Sequence, residues 1–231
     1  QNGLPGLLTG QGYRYKLISE CGHIGLVIAM RFEEVFPILD RNGLGVFSTG
    51  VLRTIFPKEP AFNLAKSLQR WKGKGYIAPL RNGLFELTYP RDRRIPDLFI
   101  ANQMYSPSYV SLESAMSAYS LIPEVAQAVT SITTKPTRKF RTRHGLFVFR
   151  TLPPALFNGY RIEDEGGFKV LMAEPEKALA DYLYFKNYRK KMMDLAGERI
   201  DWKSVRKLDR SKITGYFRGF GLKMEDLNAY L

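Results

Sequence analysis

The chain has 231 residues, enough for one large or two modest domains, and its 45% hydrophobic and 13% aromatic content excludes a disordered tail. Lysine and arginine number 35 against 22 acids, a formal charge of +13 that favours a polyanionic partner through steering and counterion release. The single cysteine, Cys21, excludes a disulfide framework or cysteine-based zinc site, and the two histidines, His23 and His144, exclude a histidine-rich metal centre.

No apolar run reaches the roughly 18 residues that a membrane-spanning helix needs, so the expectation is a cytoplasmic protein with no membrane partner. Residues 1–29 are Gly-rich, show no clear period and open at Gln1 without a charged n-region. They are expected to be an extension outside the native domain. From Arg31 to Asp40, Phe32, Val35, Phe36 and Leu39 recur at helical spacing, and Asn42-Gly43 closes the helix. Phe47-Ser48-Thr49 then supplies a hydroxyl cap to a short helix carrying Val51, Leu52, Ile55 and Phe56. Pro57 and Pro60 end that helix, because proline lacks an amide proton and disfavours helical geometry in the residue before it.

A second helix carries Leu64, Ala65, Leu68 and Trp71 on one face, with Lys66, Arg70, Lys72 and Lys74 largely off it and Gly73 and Gly75 at its end. Ile77 to Leu80 and Leu84 to Leu87 flank Arg81-Asn82-Gly83, where Asn-Gly is a strong hairpin signal. Residues 30–90 therefore read as a winged helix-turn-helix. Its second helix is expected in a DNA major groove, with Asn63, Ser67 and Gln69 as base readers. Lys66, Arg70, Lys72 and Lys74 would then meet phosphate, while Arg81 at the wing tip reaches backbone or minor groove. Trp71 continues the apolar face and is assigned to the core.

Residues 91–97 are charged and proline-bearing, and are read as a linker. The second domain, 98–231, is expected to be mixed α/β with antiparallel hairpins, giving an α+β protein. Ser111 should cap a helix carrying Leu112, Ala115, Met116 and Tyr119, and Ile122-Pro123-Glu124 should open a short helix from Val125 to Ala128. The period then switches to two. Val129 to Thr134 reads as a strand, Lys139 to Thr142 and Phe147 to Leu152 as a hairpin around Arg143-His144-Gly145, and Tyr160 to Glu163 with Phe168 to Ala173 as another. Glu174-Pro175-Glu176 opens a helix with the apolar stripe Ala178, Leu179, Tyr182, Leu183 and Phe185, followed by a basic helical tail.

Lys135, Arg138, Lys139, Arg141, Arg143 and Arg150 fall in one stretch without an acid, and the alternating hairpin is expected to gather several of them on one face. The first five form a possible nucleic-acid or partner patch; a solvated hairpin face is the alternative. Glu163, Asp164, Glu165, Glu174, Glu176 and Asp181 could suggest magnesium. A turn and a helix start, however, favour acids without any catalytic reason. His144 has no acid partner in sequence and is expected on the surface. No nucleophile elbow, P-loop or dinucleotide fingerprint is readable, so neither enzyme activity nor a cofactor is expected.

Three strings in order, Tyr109-Val110-Ser111-Leu112-Glu113-Ser114-Ala115, Val129-Thr130-Ser131-Ile132-Thr133-Thr134-Lys135 and Leu171-Met172-Ala173-Glu174-Pro175-Glu176-Lys177-Ala178-Leu179, resemble the C-terminal domain of AbiEi-type antitoxins. The resemblance covers about Met30 to Phe185. It implies a bacterial antitoxin of a type IV toxin–antitoxin pair from abortive-infection (viral defence) loci. In such a pair the winged helix represses its own promoter at inverted repeats. The second domain counters a nucleotidyltransferase toxin without a stable complex. A solitary winged-helix regulator, or an RNA- or protein-interaction protein without a cognate toxin, is the alternative.

Overall fold

The computed structural model describes residues 30–90, 94–187, 195 and 197–230; the N-terminal extension expected over 1–29 lies outside them. In chain order the elements are α1 (Phe32–Arg41), β1 (Val46–Ser48), α2 (Thr49–Ile55), α3 (Ala61–Gly73), β2 (Ile77–Arg81), β3 (Leu84–Leu87), α4 (Asp97–Met104) and β4 (Ser108–Val110). There follow α5 (Leu112–Ala118), β5 (Ala128–Thr133), β6 (Arg138–Thr142), β7 (Gly145–Thr151), β8 (Tyr160–Glu165), β9 (Phe168–Ala173) and α6 (Pro175–Asn187). The last elements are α7 (Trp202–Val205), α8 (Arg210–Phe220) and α9 (Glu225–Asn228). The fold is α+β with one antiparallel and one mixed sheet.

In the N-terminal unit, Phe32, Val35, Leu39, Leu52, Leu64, Leu68 and Trp71 from the helices bury against Phe47, Ile77 and Leu87 of a small sheet ordered β1-β3-β2. Each of those side chains contributes roughly 1.5–3 kcal/mol on full burial. The Ser48 hydroxyl accepts from the Val51 amide at 3.2 Å and so starts α2 as its type predicts. Gly83, at φ 70°, makes the β2–β3 turn. β1 has only three residues, too few for a period to show in the sequence.

The larger unit is built on a six-stranded sheet ordered β6-β7-β5-β4-β9-β8. The hairpins β6–β7 and β8–β9 are antiparallel as expected, but β5 pairs with β7, and β4 with β9, in parallel. One sheet face takes α4, whose following Tyr105 ring meets Phe140 and Phe149. The other takes α6, through Asp181 beneath Tyr109 and Ser111. Three expectations fail. Residues 125–128 form no helix and Val125 is 85% exposed. Asp97, placed at the end of a linker, is the first residue of α4. The Ser111 hydroxyl donates to Asp181 at 2.7 Å rather than capping α5, and Leu112 begins that helix at φ 56°.

The two units share apolar contacts. Val46, Leu80 and Leu84 of the N-terminal unit belong to the core of the larger one, together with Ile95, Ile100 and Met104.

Candidate nucleic-acid interface

Helix α3 carries no acid, and its inner face seats Leu64, Ser67, Leu68 and Trp71. Its outer face exposes Phe62, Ala65, Lys66, Gln69, Arg70 and Lys72, with the Lys66 ammonium 4.5 Å from the centre of the Phe62 ring. Phe62 is 60% exposed, a large apolar side chain left in water beside cations. Arg53 and Lys58, both exposed, add positive charge on and after α2. Asn63 is half-buried and Lys74, exposed, ends the helix.

Two expected contacts are corrected. Ser67 is fully buried and its hydroxyl has no hydrogen-bond partner among the described residues, so this side chain faces the core rather than a base edge. Arg81 does not project from a free tip. Its Nε donates to the Met104 carbonyl at the end of α4 at 2.7 Å, and a register shift lies between Pro79 and Arg81 in the β2–β3 pairing. Arg70 is exposed, yet one guanidinium nitrogen donates to the Met30 carbonyl at 2.5 Å.

The basic hairpin is divided by its own pleat. Register places Lys139 opposite Val148 and Arg141 opposite Leu146 on the α6-facing side, which also carries Arg150. Arg138 falls on the opposite side, 6.0 Å from the Tyr105 ring centre, and Lys135 donates to the Ser106 carbonyl at 2.5 Å. Arg143, at the turn, reaches the N-terminal unit and pairs with Glu86 at 2.6 Å. The five residues therefore do not form one face.

His144 is not a free surface residue. Its Nε2 lies 2.7 Å from Glu86 Oε2 and its Nδ1 2.9 Å from Asp97 Oδ1, so the imidazole joins β3, the β6–β7 turn and α4. No periodicity could have revealed this pairing, since Glu86 and His144 are 58 positions apart.

The acids considered for a metal are held apart by partners. Glu163 meets Arg161, Asp164 meets Lys169, Glu174 meets Lys212, and the buried Glu176 accepts from the Asp209 amide at 3.1 Å. Asp181 is fully buried and receives Lys177 Nζ, the Ser111 hydroxyl and the Tyr109 hydroxyl. Burial pushes the Asp181 carboxyl up and the Lys177 ammonium down, each opposed by the attraction of the other. Burial and the neighbouring Asp181 charge together raise Tyr109 far above the usual phenol range, so it is a proton donor at any ordinary pH. No described group of three or more His, Cys, Asp or Glu residues is arranged to hold a metal. Among the described residues no helix is long and apolar enough to cross a membrane.

No protein-family model matches the chain, and no curated protein matches it either.

Proposed function

We propose that the protein is a DNA-binding regulator whose α1–α3 and β1–β3 form a winged helix-turn-helix, and that it acts as the antitoxin of a type IV toxin–antitoxin pair. The observation that carries the DNA-binding part is α3 itself. Its inner face buries Leu64, Leu68 and Trp71 with Ser67 among them, and its outer face exposes Lys66, Gln69, Arg70 and Lys72 with no acid in the helix. A helix of that kind can lie in a major groove while its cations meet phosphates on either side.

The contact surface in this reading is α3 with Arg53 and Lys58, not the wing, because β2–β3 leans on the larger unit. The antitoxin part rests on the three antitoxin-like strings of the second domain, over 109–115, 129–135 and 171–179. Its partners would be the protein's own promoter duplex and a nucleotidyltransferase toxin countered without a stable complex.

The test is a titration of the full chain against its own promoter and a scrambled duplex over a range of salt. The promoter should win, and Lys66→Ala with Lys72→Ala should lower the slope of log affinity on log salt by about 2, one unit for each phosphate no longer neutralised. Equal affinity for the two duplexes, or an unchanged slope, would sink the assignment. For the antitoxin role, a nucleotidyltransferase gene should lie beside this one, and co-expression of the chain should restore growth to cells carrying that toxin. Failure to do so would leave a solitary regulator.

A further inference from the structure

On the face of the mixed sheet that takes α6, one edge strand is β6. α5 packs on β5, and α6 packs on α5 and β9 and reaches Tyr109 of β4 through Asp181, while β6 lies beyond β7. Along this margin lies a cavity of about 320 Å³. Leu112, Ala128 and Val148 give it apolar walls, and Tyr182 and Phe185 of α6 add aromatic ones. Lys139, Arg150 and Lys186 bring three cations to it, against the single carboxylate of Glu113.

We propose that this groove, between α6 and the β6–β7 hairpin, binds a nucleotide through its phosphate and its base, as a free nucleotide or as a unit of a single strand. The inference stands apart from the DNA-reading face of α3.

The first support is the state of the cations. Lys186 is paired with Glu198 at 3.1 Å, but neither Lys139 nor Arg150 makes an ion pair with any described residue. Like charges gathered in a groove raise its local potential and concentrate anions there. An edge strand often carries lysine merely to discourage pairing with another chain. That explanation covers Lys139 and Arg141 on β6. It does not cover Arg150, which lies on the inner strand β7, half-buried, with its guanidinium 5.8 Å from the Phe185 ring centre. A guanidinium that meets a ring through a cation–π contact still has N–H groups free for a forked pair of acceptors, the geometry that phosphate offers.

The second support is the character of the walls. A cavity of this size is at the lower end of the range for small-ligand sites, typically about 300–1,000 Å³, and combines apolar surface with a few convergent polar groups. Glu113 argues against an acidic peptide, whose carboxylates it would repel. It instead suits a ligand with N–H or hydroxyl donors beside its negative charge, as a base and ribose provide.

The experiment uses the full chain, a fluorescent single-stranded RNA of about ten nucleotides as probe, and AMP and ATP as competitors, with poly-glutamate as the control anion. Lys139→Glu and Arg150→Gln are the groove variants; Lys66→Ala with Lys72→Ala is the α3 variant. Saturable binding of the RNA or of a nucleotide is expected, weakened at least about tenfold in either groove variant, the effect of removing one charge-assisted hydrogen bond. Affinity should be unchanged in the α3 variant, and thermal melts should show all variants folded. AMP or ATP displacing the probe marks a free-nucleotide site; binding of the RNA alone marks a single-strand site. No saturable binding below about 1 mM, equal binding of poly-glutamate, or affinity indifferent to a folded groove variant would overturn the proposal.

Discussion

The Glu86 carboxylate, only 1% exposed, meets the Arg143 guanidinium at 2.6 Å where the N-terminal unit rests on the β6–β7 hairpin. A buried carboxylate needs partners, and Glu86 takes them from the other unit, His144 included. Glu86→Gln keeps the shape and removes the charge that both partners face. It should lower unfolding free energy by about 1–3 kcal/mol, seen in urea titration, and speed hydrogen exchange of β2 and β3 amides. Unchanged exchange would show that the apolar contacts alone hold the junction.

Lys177 and Asp181 form a pair with almost no solvent contact. Removing one partner of such a pair leaves an uncompensated buried charge and costs about 3–5 kcal/mol, whereas replacing both by apolar residues of similar size is often neutral. Lys177→Met should therefore be strongly destabilising in thermal melts, and Lys177→Met with Asp181→Leu should regain most of the loss. A double variant no better than the single would mean that Ser111 and Tyr109 need the carboxylate in their own right.

The hydrogen bond from Lys212 holds the Glu174 carboxyl below its ordinary range. A folded-state value below the unfolded one contributes stability that is present above the unfolded value and lost as pH falls through the folded one. Lys212→Met should be less stable than the parent at neutral pH, and the difference should vanish in acid, once Glu174 is protonated in both. Urea midpoints from about pH 2 to 7 read this directly. A gap that persists at the acid end would assign the effect to packing.

Gly159 sits at φ 71°, and a β-carbon there would stand 2.5 Å from the Tyr216 hydroxyl oxygen. Gly159→Ala meets both a disfavoured backbone and a collision between the β8 entrance and α8. It should cost about 1–3 kcal/mol, with Tyr216→Phe as a second change relieving part of it. A neutral Gly159→Ala would mean that the Tyr216 ring turns aside freely.

The parts legible in the sequence are those where local chemistry and tertiary burial agree. The apolar stripe of α3, with Trp71 at 1% exposure, and the turn at Asn82-Gly83 follow from periodicity and from the residue type that most readily accepts a positive φ. Ser67 departs from expectation because it borders that stripe, where a few degrees of helix rotation decide between core and groove. α6 shows a different limit. Ala178 through Leu183 are all buried, since the sheet, α5 and α8 surround the helix, so Lys177 and Asp181 look like an ordinary surface pair four residues apart while being interior. The parallel pairing of β5 with β7 and the meeting of Glu86 with His144 depend on contacts between distant segments, which no local window contains.

Val46, Leu80 and Leu84 lie in the larger core, and so the N-terminal unit is not a portable cassette. Grafted onto a foreign partner, residues 30–90 would carry a greasy flank and an orphaned Glu86. A working chimera would have to bring α4 and the β6–β7 hairpin along. For the same reason, recombination that swaps this N-terminal unit is expected to carry α4 and the β6–β7 hairpin with it rather than to cut at the short charged segment before α4.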